Sequence, residues 1–443
     1  MAKPLPGWVD PETVFLALRR GDEGEFWLDA GVHATTGWSL LGFGAVERDP
    51  QVVRATPVGG AAKSATDVPF RGGWVGWLAY EDGAAAAGAP VADATIGSSW
   101  IAADRAVAFD HETHTMWALA AADEATAWAS EVQSALAAAA GRAASVPPPA
   151  PSHQASARYS VTVYREMIAG CRAVIRRGDA YQLCLTTRFT TPAPSDPVEV
   201  YRRLRRATPA HHGGYLHIGG HHLLSASPEQ FLDVRDGHVR TSPIKGTRPR
   251  GATAEQDAAL AAELRASEKE RAENVMIVDL MRNDLSHIGE PGSVQVDRLW
   301  EVESYPAVHQ LVSTVSARLR PGLTFGELSD AVFPAGSMTG APKLSAMTIL
   351  HGLERESRGV YAGCFGHVGL DGAVDLAMVI RSIVIDGDVA SVGAGGGITW
   401  LSDPADEAAE VATKARAPLA ALGATLPDDW SATLAGSETR NLR

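Results

Sequence analysis

Apolar residues at Tyr164, Met167, Ile168, Cys171, Val174 and Ile175 recur with a helical period and stop at Gly178, which predicts a helix that hands over to a strand at 181–189. Shorter apolar runs at 214–218, 222–226, 230–234, 360–369, 374–384 and 389–393 predict further strands. Helical spacing returns near 254–285, 325–330, 342–352 and 404–420. Upstream, strand-like runs at 37–43 and 74–80 are separated by glycine-rich turns. Asp371-Gly372 and Asp386-Gly387 leave room only for hairpins, so antiparallel pairing is expected, and with it an α+β layering instead of a doubly wound sheet. An Ala-rich helical pattern gives way to stacked prolines across 136–158, which reads as a linker. It divides a supporting half, 1–135, from a chemistry-bearing half, 159–425, with a tail at 426–443. The strands of the first half are expected to complete the core of the second.

Composition narrows the class of function. With 443 residues, 45% of them hydrophobic, the chain can bury one large core or two smaller ones. Its net charge of -13 comes from 52 acidic and 39 basic residues, the latter scattered, so no nucleic-acid partner is expected. No run of 18 apolar residues and no signal-like N-terminus occur, so the expectation is a cytoplasmic, unprocessed chain with no membrane span. Cys171, Cys184 and Cys364 stand far apart without metal or disulfide spacing, and Cys171 falls on an apolar helix face.

Several segments carry candidate chemistry, each beside a plainer reading. In Ser242-Pro-Ile-Lys-Gly-Thr-Arg-Pro-Arg-Gly251, a desolvated Lys245 would be an amine nucleophile; an incidental lysine on a surface turn is the alternative. Glu229, in Ser227-Pro-Glu-Gln-Phe231, opens a strand, where burial would make it a general acid and solvent an ordinary carboxylate. Glu270 and Glu273 share one helix face, as do Glu407 and Glu410 on another. Two such faces meeting would suit a hard cation; apart, they are solvated surfaces. The run Gly393-Ala-Gly-Gly-Gly-Ile398, between a strand and a helix start, would let N–H groups approach an anion, or be a turn and no more. Phe333-Pro-Ala-Gly-Ser-Met-Thr-Gly-Ala-Pro-Lys343 offers Ser337 and Thr339 hydroxyls on the same terms.

Taken in order, S-P-E, P-I-K-G-T-R, A-E-N-x-M-I-V-D-L-x-R-N-D-L, H-x-L-V-S, F-P-A-G-S-x-T-G-A-P-K, Ile380-Arg381 and G-A-G-G-G-I resemble the chorismate-utilising enzymes, strongly over 159–420 and weakly over 1–135. The resemblance implies two large antiparallel sheets packed face to face with helices outside. It also implies that Glu273 and Glu410 ligate Mg²⁺, assisted by Glu270 and Glu407, and that the metal receives the ring carboxylate of chorismate. Arg381, Tyr361 and the N–H groups of Gly395, Gly396 and Gly397 would take the enolpyruvyl carboxylate. Gln182, Gly246, Thr247, His309, Ser337 and Lys414 match other substrate-shell positions, although His309 is also readable as a core-edge histidine.

Two positions bear on the branch of the family. Gln182 stands where water-adding members carry a basic lysine, so hydroxylation is disfavoured. Lys245 stands where C2-aminating anthranilate synthases generally carry a small residue, and resembles the branch that makes 4-amino-4-deoxychorismate for p-aminobenzoate and folate. In that route Lys245 attacks C2 while Glu229 protonates the departing C4 hydroxyl, and ammonia then displaces the lysine from C4. No amidotransferase nucleophile segment is found, so a separate glutamine amidotransferase subunit is implied as the source of ammonia. Departures exist: the usual E-Y-x-E-T reads Glu407-Ala-Ala-Glu-Val411, and the N-terminal half has no clear L-x-E-S segment, so feedback inhibition is not expected. The rivals are C2 amination, as in anthranilate or aminodeoxyisochorismate synthesis, and a catalytically silent chorismate-binding subunit.

Overall fold

The computed structural model describes residues 1–60, 68–139, 153–305 and 308–440. Its strands form a largely antiparallel network that divides at two long strands, Trp38–Glu47 and Ser99–Asp110, paired along their length. The other edge of Ser99–Asp110 pairs with Gly73–Leu78 through its first half and with Thr115–Ala120 through its second. Two leaves diverge from that seam. One continues through Glu25–Asp29, His212–Ile218, His221–Ser227, Ser382–Asp386, Val389–Ile398 and Gln182–Pro192. The other continues through Cys364–Gly369, Val374–Met378, Gln230–Arg235, His238–Thr241 and Val308–Arg318, the last flanked by Ile244–Pro249 and Gln295–Ser304.

Phe26, Leu40, Leu216 and Val384 from one leaf and Val75, Trp77, Phe365 and Ala377 from the other share one buried cluster, so the leaves pack face to face. The contact is close: a Cβ on Gly214 would lie 2.5 Å from the Phe365 ring. Helices Pro11–Leu18, Val161–Arg177, Pro197–Ala207 and Pro404–Ala421 cover the outside of the first leaf, and Glu268–Ser286 with Phe325–Val332 covers the second. This is the expected α+β arrangement. The first 135 residues do not fold apart, because Glu25–Asp29 and Gly73–Leu78 are interior members of the two leaves.

Local expectations failed where tertiary context decides. The run 374–384 is two strands, one in each leaf, and the chain crosses between them at Arg381, whose φ is +53°. Both pieces are apolar, so periodicity alone joined them. Ser267 caps a second helix and divides the expected helix 254–285 into Ala254–Ala266 and Glu268–Ser286. The expected linker starts inside helix Ala125–Ala139, and 153–157 pair as short strands, while 140–152 lie outside the described residues. The expected tail contains helix Asp428–Arg440, anchored by the fully buried Trp430. All three cysteines are buried and unpaired. Among the described residues no helix is long and apolar enough to cross a membrane.

Candidate functional site

Lys245 lies on a strand, Ile244–Pro249, and not on the surface turn that the sequence left open. Its pairing with Val308–Arg318 slips between Ile244 and Thr247, a bulge that re-aims side chains locally. Gly246 makes the bulge possible: its φ is +81°, and a Cβ there would meet Leu264 at 2.8 Å and Glu270 at 3.0 Å. Among the described residues Lys245 Nζ has no hydrogen bond and no ion pair. It nevertheless lies in the electrostatic field of Glu229, Glu273 and Glu410.

Glu229 precedes strand Gln230–Arg235 and is held by the short turn Gly336–Met338, where Ser337 Oγ donates to Glu229 Oε1 at 3.0 Å. Burial pushes its carboxyl up; Lys245, the Ser337 hydroxyl and Lys414 offset part of that. A carboxyl so placed is suited to hold and release a proton. Facing Lys245 is the glycine strand. A Cβ on Gly397 would lie 3.4 Å from Lys245 Nζ and 2.7 Å from Gln182 Nε2. Gln182 is 1% exposed, yet among the described residues both its amide atoms lack partners. A ligand able to accept and donate there would relieve a cost of about 1–3 kcal/mol per group.

The two acidic helix faces do approach one another. Burial, then Glu410, pushes Glu407 up to about 6, although Ser402 Oγ donates to Glu407 Oε1 at 2.7 Å. Glu273 is likewise raised by burial and by Glu270 and Glu410, against Lys245 and Lys269. Lys414 holds Glu410 down to about 2 through a 2.7 Å ion pair, and also donates to the Gly395 carbonyl at 2.9 Å. Glu270 faces Arg248 at 3.6 Å. Among the described residues no three acidic, histidine or cysteine groups are close enough to form a ready-made metal cluster. The donor chemistry still fits a hard cation, because crowded carboxylates repel and Mg²⁺ needs only one or two of them beside water and substrate oxygens. Lys269, 3.9 Å from Glu273, is a participant that the sequence reading passed over, although its i, i+4 spacing was legible.

Arg381 is half-buried within the electrostatic field of Glu410 and Tyr361. Its φ of +53° stores backbone strain at the crossover between leaves. Its guanidinium has no hydrogen bond or ion pair among the described residues. Tyr361 lies nearby with its ring against Gly393, where a Cβ would come within 2.1 Å. The glycine run is no loop: Gly393–Ile398 continue strand Val389–Ile398 and pair with Gln182–Pro192. Ser382–Asp386 pairs with its other edge only over Val389–Ser391, so among the described residues that edge is without a strand partner beside the glycines. A sheet edge with no side chains is a place where an anion can approach N–H groups.

Two expected site residues are placed differently. His309 is 2% exposed, with Nδ1 2.8 Å from Ser304 Oγ and Nε2 2.9 Å from Asp257, so both ring nitrogens are engaged within the protein. Thr247 faces solvent. A cavity of about 790 Å³ lies elsewhere, between the leaves beside Asp29, Trp38, His211, Tyr305 and Phe365.

The family described as chorismate binding enzymes matches residues 29–420. An aminodeoxychorismate synthase of Streptomyces griseus is 40% identical over 96% of this chain and 65% of its own length, so the chain spans about two thirds of that relative. Anthranilate synthase component 1 of Streptomyces coelicolor is 38% identical over 94% of this chain and 86% of its own. The crystal structure of anthranilate synthase component I from Streptococcus pneumoniae superposes with a TM-score of 0.73 and 29% identity, covering 92% of this chain and 96% of that one.

Proposed function

The chain belongs to the chorismate binding enzymes, and on that premise we propose that it aminates chorismate at C4 to give 4-amino-4-deoxychorismate. The observation that carries this reading is Lys245: an amine without a hydrogen bond or ion pair among the described residues, set on a bulged strand between Glu229 and the glycine strand. Lys245 attacks C2 of the ring, both ring double bonds shift (C1=C2 to C1=C6 and C5=C6 to C4=C5), and the C4 hydroxyl takes the Glu229 proton and leaves as water. Ammonia then attacks C4, the two double bonds return to C5=C6 and C1=C2, the bond from C2 to Lys245 breaks, and the lysine leaves as an amine. Arg381, Tyr361 and the open edge beside Gly395, Gly396 and Gly397 orient the enolpyruvyl carboxylate. Glu273 and Glu410, with Glu270 and Glu407, would hold Mg²⁺. When bound, the metal neutralises the second carboxylate of the dianionic substrate. Ammonia comes from a separate glutamine amidotransferase, a division of labour supported by the "component 1" name of the S. coelicolor relative.

The similarity to anthranilate synthases favours a second reading, amination at C2. Purified protein incubated with chorismate, Mg²⁺ and ammonium salt separates the two by the mass and ultraviolet spectrum of the product. The expected product retains the enolpyruvyl group and carries its amine at C4. Anthranilate would place the protein in the other branch, and isochorismate would remove amination altogether.

A further inference from the structure

We propose that Arg358 is a positioning residue that locks the general-acid turn to the substrate-facing strand. Its guanidinium lies wholly inside the protein. Nη1 donates to the Met338 carbonyl at 2.6 Å, and Nη2 donates to the Cys184 carbonyl at 2.8 Å. Met338 follows Ser337, the hydroxyl that holds Glu229, within one turn. Cys184 lies two residues from Gln182 and pairs with Gly397. A single planar cation therefore sets the distance between the two sides of the site.

Arg358 is itself fixed from three directions, two on its guanidinium and one on its backbone. Glu354 accepts from Arg358 Nε and Nη2, both at 2.8 Å, and its Oε1 also accepts from the Thr186 amide at 2.8 Å and hydroxyl at 3.0 Å. Glu81 accepts from the Arg358 and Gly359 amides at 2.6 and 2.9 Å. The Tyr80 ring lies 4.3 Å from the guanidinium. Tyr80 and Glu81 belong to the N-terminal half, which thereby reaches Arg358 and, through it, the turn that holds Glu229. This geometry uses four of the guanidinium's five coplanar donors, and a lysine ammonium has neither the reach nor the fork to replace them.

The inference rests on Glu229 being the acid proposed above. Displacing the turn removes the Ser337 hydrogen bond that holds the Glu229 carboxyl down, so the alkaline limb of kcat moves to higher pH. The test compares Arg358→Lys, Arg358→Met and Ser337→Ala in the full chain, with folded fraction scored by thermal melting. Arg358→Lys is expected to lose about 10²-fold in kcat with KM for chorismate within about threefold, and Arg358→Met more. The limb moves in the same direction as in Ser337→Ala. If either arginine variant fails to fold, Thr186→Val loosens the same clamp from its edge and shows a smaller shift of the same sign. Parental kcat in folded Arg358→Lys, or a lower kcat with the limb unmoved, overturns the proposal. Product identity is recorded in the same assay, so a C2 amine from the parent would overturn the reaction reading while the limb still decides this one.

Discussion

Two clusters of inward-facing charge can be set side by side in this molecule. Near the N-terminus, Arg205 meets Asp29 and Glu12 at 2.7 Å each, Arg202 meets Glu12 at 2.8 Å, and Tyr201 donates to Asp29 at 3.0 Å. Burial alone would raise the Glu12 carboxyl, but Arg202, Arg205 and Arg206 overcome it and hold it low. At the site the balance is reversed. Burial wins at Glu229, Glu273 and Glu407, and among the described residues Lys245, Arg381 and Gln182 lack hydrogen-bond and ion-pair partners. The same residue types thus serve two ends: where every charge is answered within the chain the cluster ties helices together, and where charges go unanswered the cluster awaits a ligand.

Removing one member of each cluster separates these roles. Glu229→Gln keeps shape and hydrogen bonding but holds no transferable proton, so kcat is expected to fall by about 10²–10⁴-fold with a near-parental melting curve. Arg205→Met, in contrast, strands Asp29 and Glu12 and costs about 3–5 kcal/mol of stability, read by denaturant unfolding, while kcat per folded molecule stays parental. If Arg205→Met instead abolished turnover in folded protein, the contrast between the clusters would collapse.

A smaller effect is expected at Arg381. Arg381→Met removes a charge-assisted contact worth about 1.5–3 kcal/mol, so chorismate binding measured by calorimetry should weaken by roughly 10–150-fold. Unchanged affinity would mean that the carboxylate is held elsewhere. Smallest is Glu407→Gln, which removes a carboxylate that costs stability above its folded pKa. The variant is expected to melt a few degrees higher at pH 7.5, by about 1–2 kcal/mol, and the gain shrinks as pH falls through about 6. Glu12 has the opposite sign: its contribution is complete above the ordinary carboxylate range and is lost as pH falls through its lowered folded value.

How much was legible beforehand follows from the same physics. Local signals sufficed where one element carries them: the helix ending at Gly178, the hairpins at Gly372 and Gly387, and the paired acids at i, i+3. They failed where partners come from afar. The strand role of Ile244–Pro249 depends on Val308–Arg318, and the break at Arg381 depends on two leaves that no window of sequence contains. His309 kept its place in a motif, but its partner Asp257 lies 52 residues away, beyond the reach of spacing arguments. Arg358 carried only its i, i+4 spacing to Glu354, because the carbonyls of Met338 and Cys184 that it meets lie far away in sequence.

The most direct measurement is mass spectrometry of protein quenched during turnover with chorismate and Mg²⁺ but limiting ammonium salt, for the parent and for Lys245→Ala. A Lys245 peptide heavier by chorismate less one water, absent from an inactive Lys245→Ala, is the predicted result. Full turnover by Lys245→Ala would contradict the account at its centre.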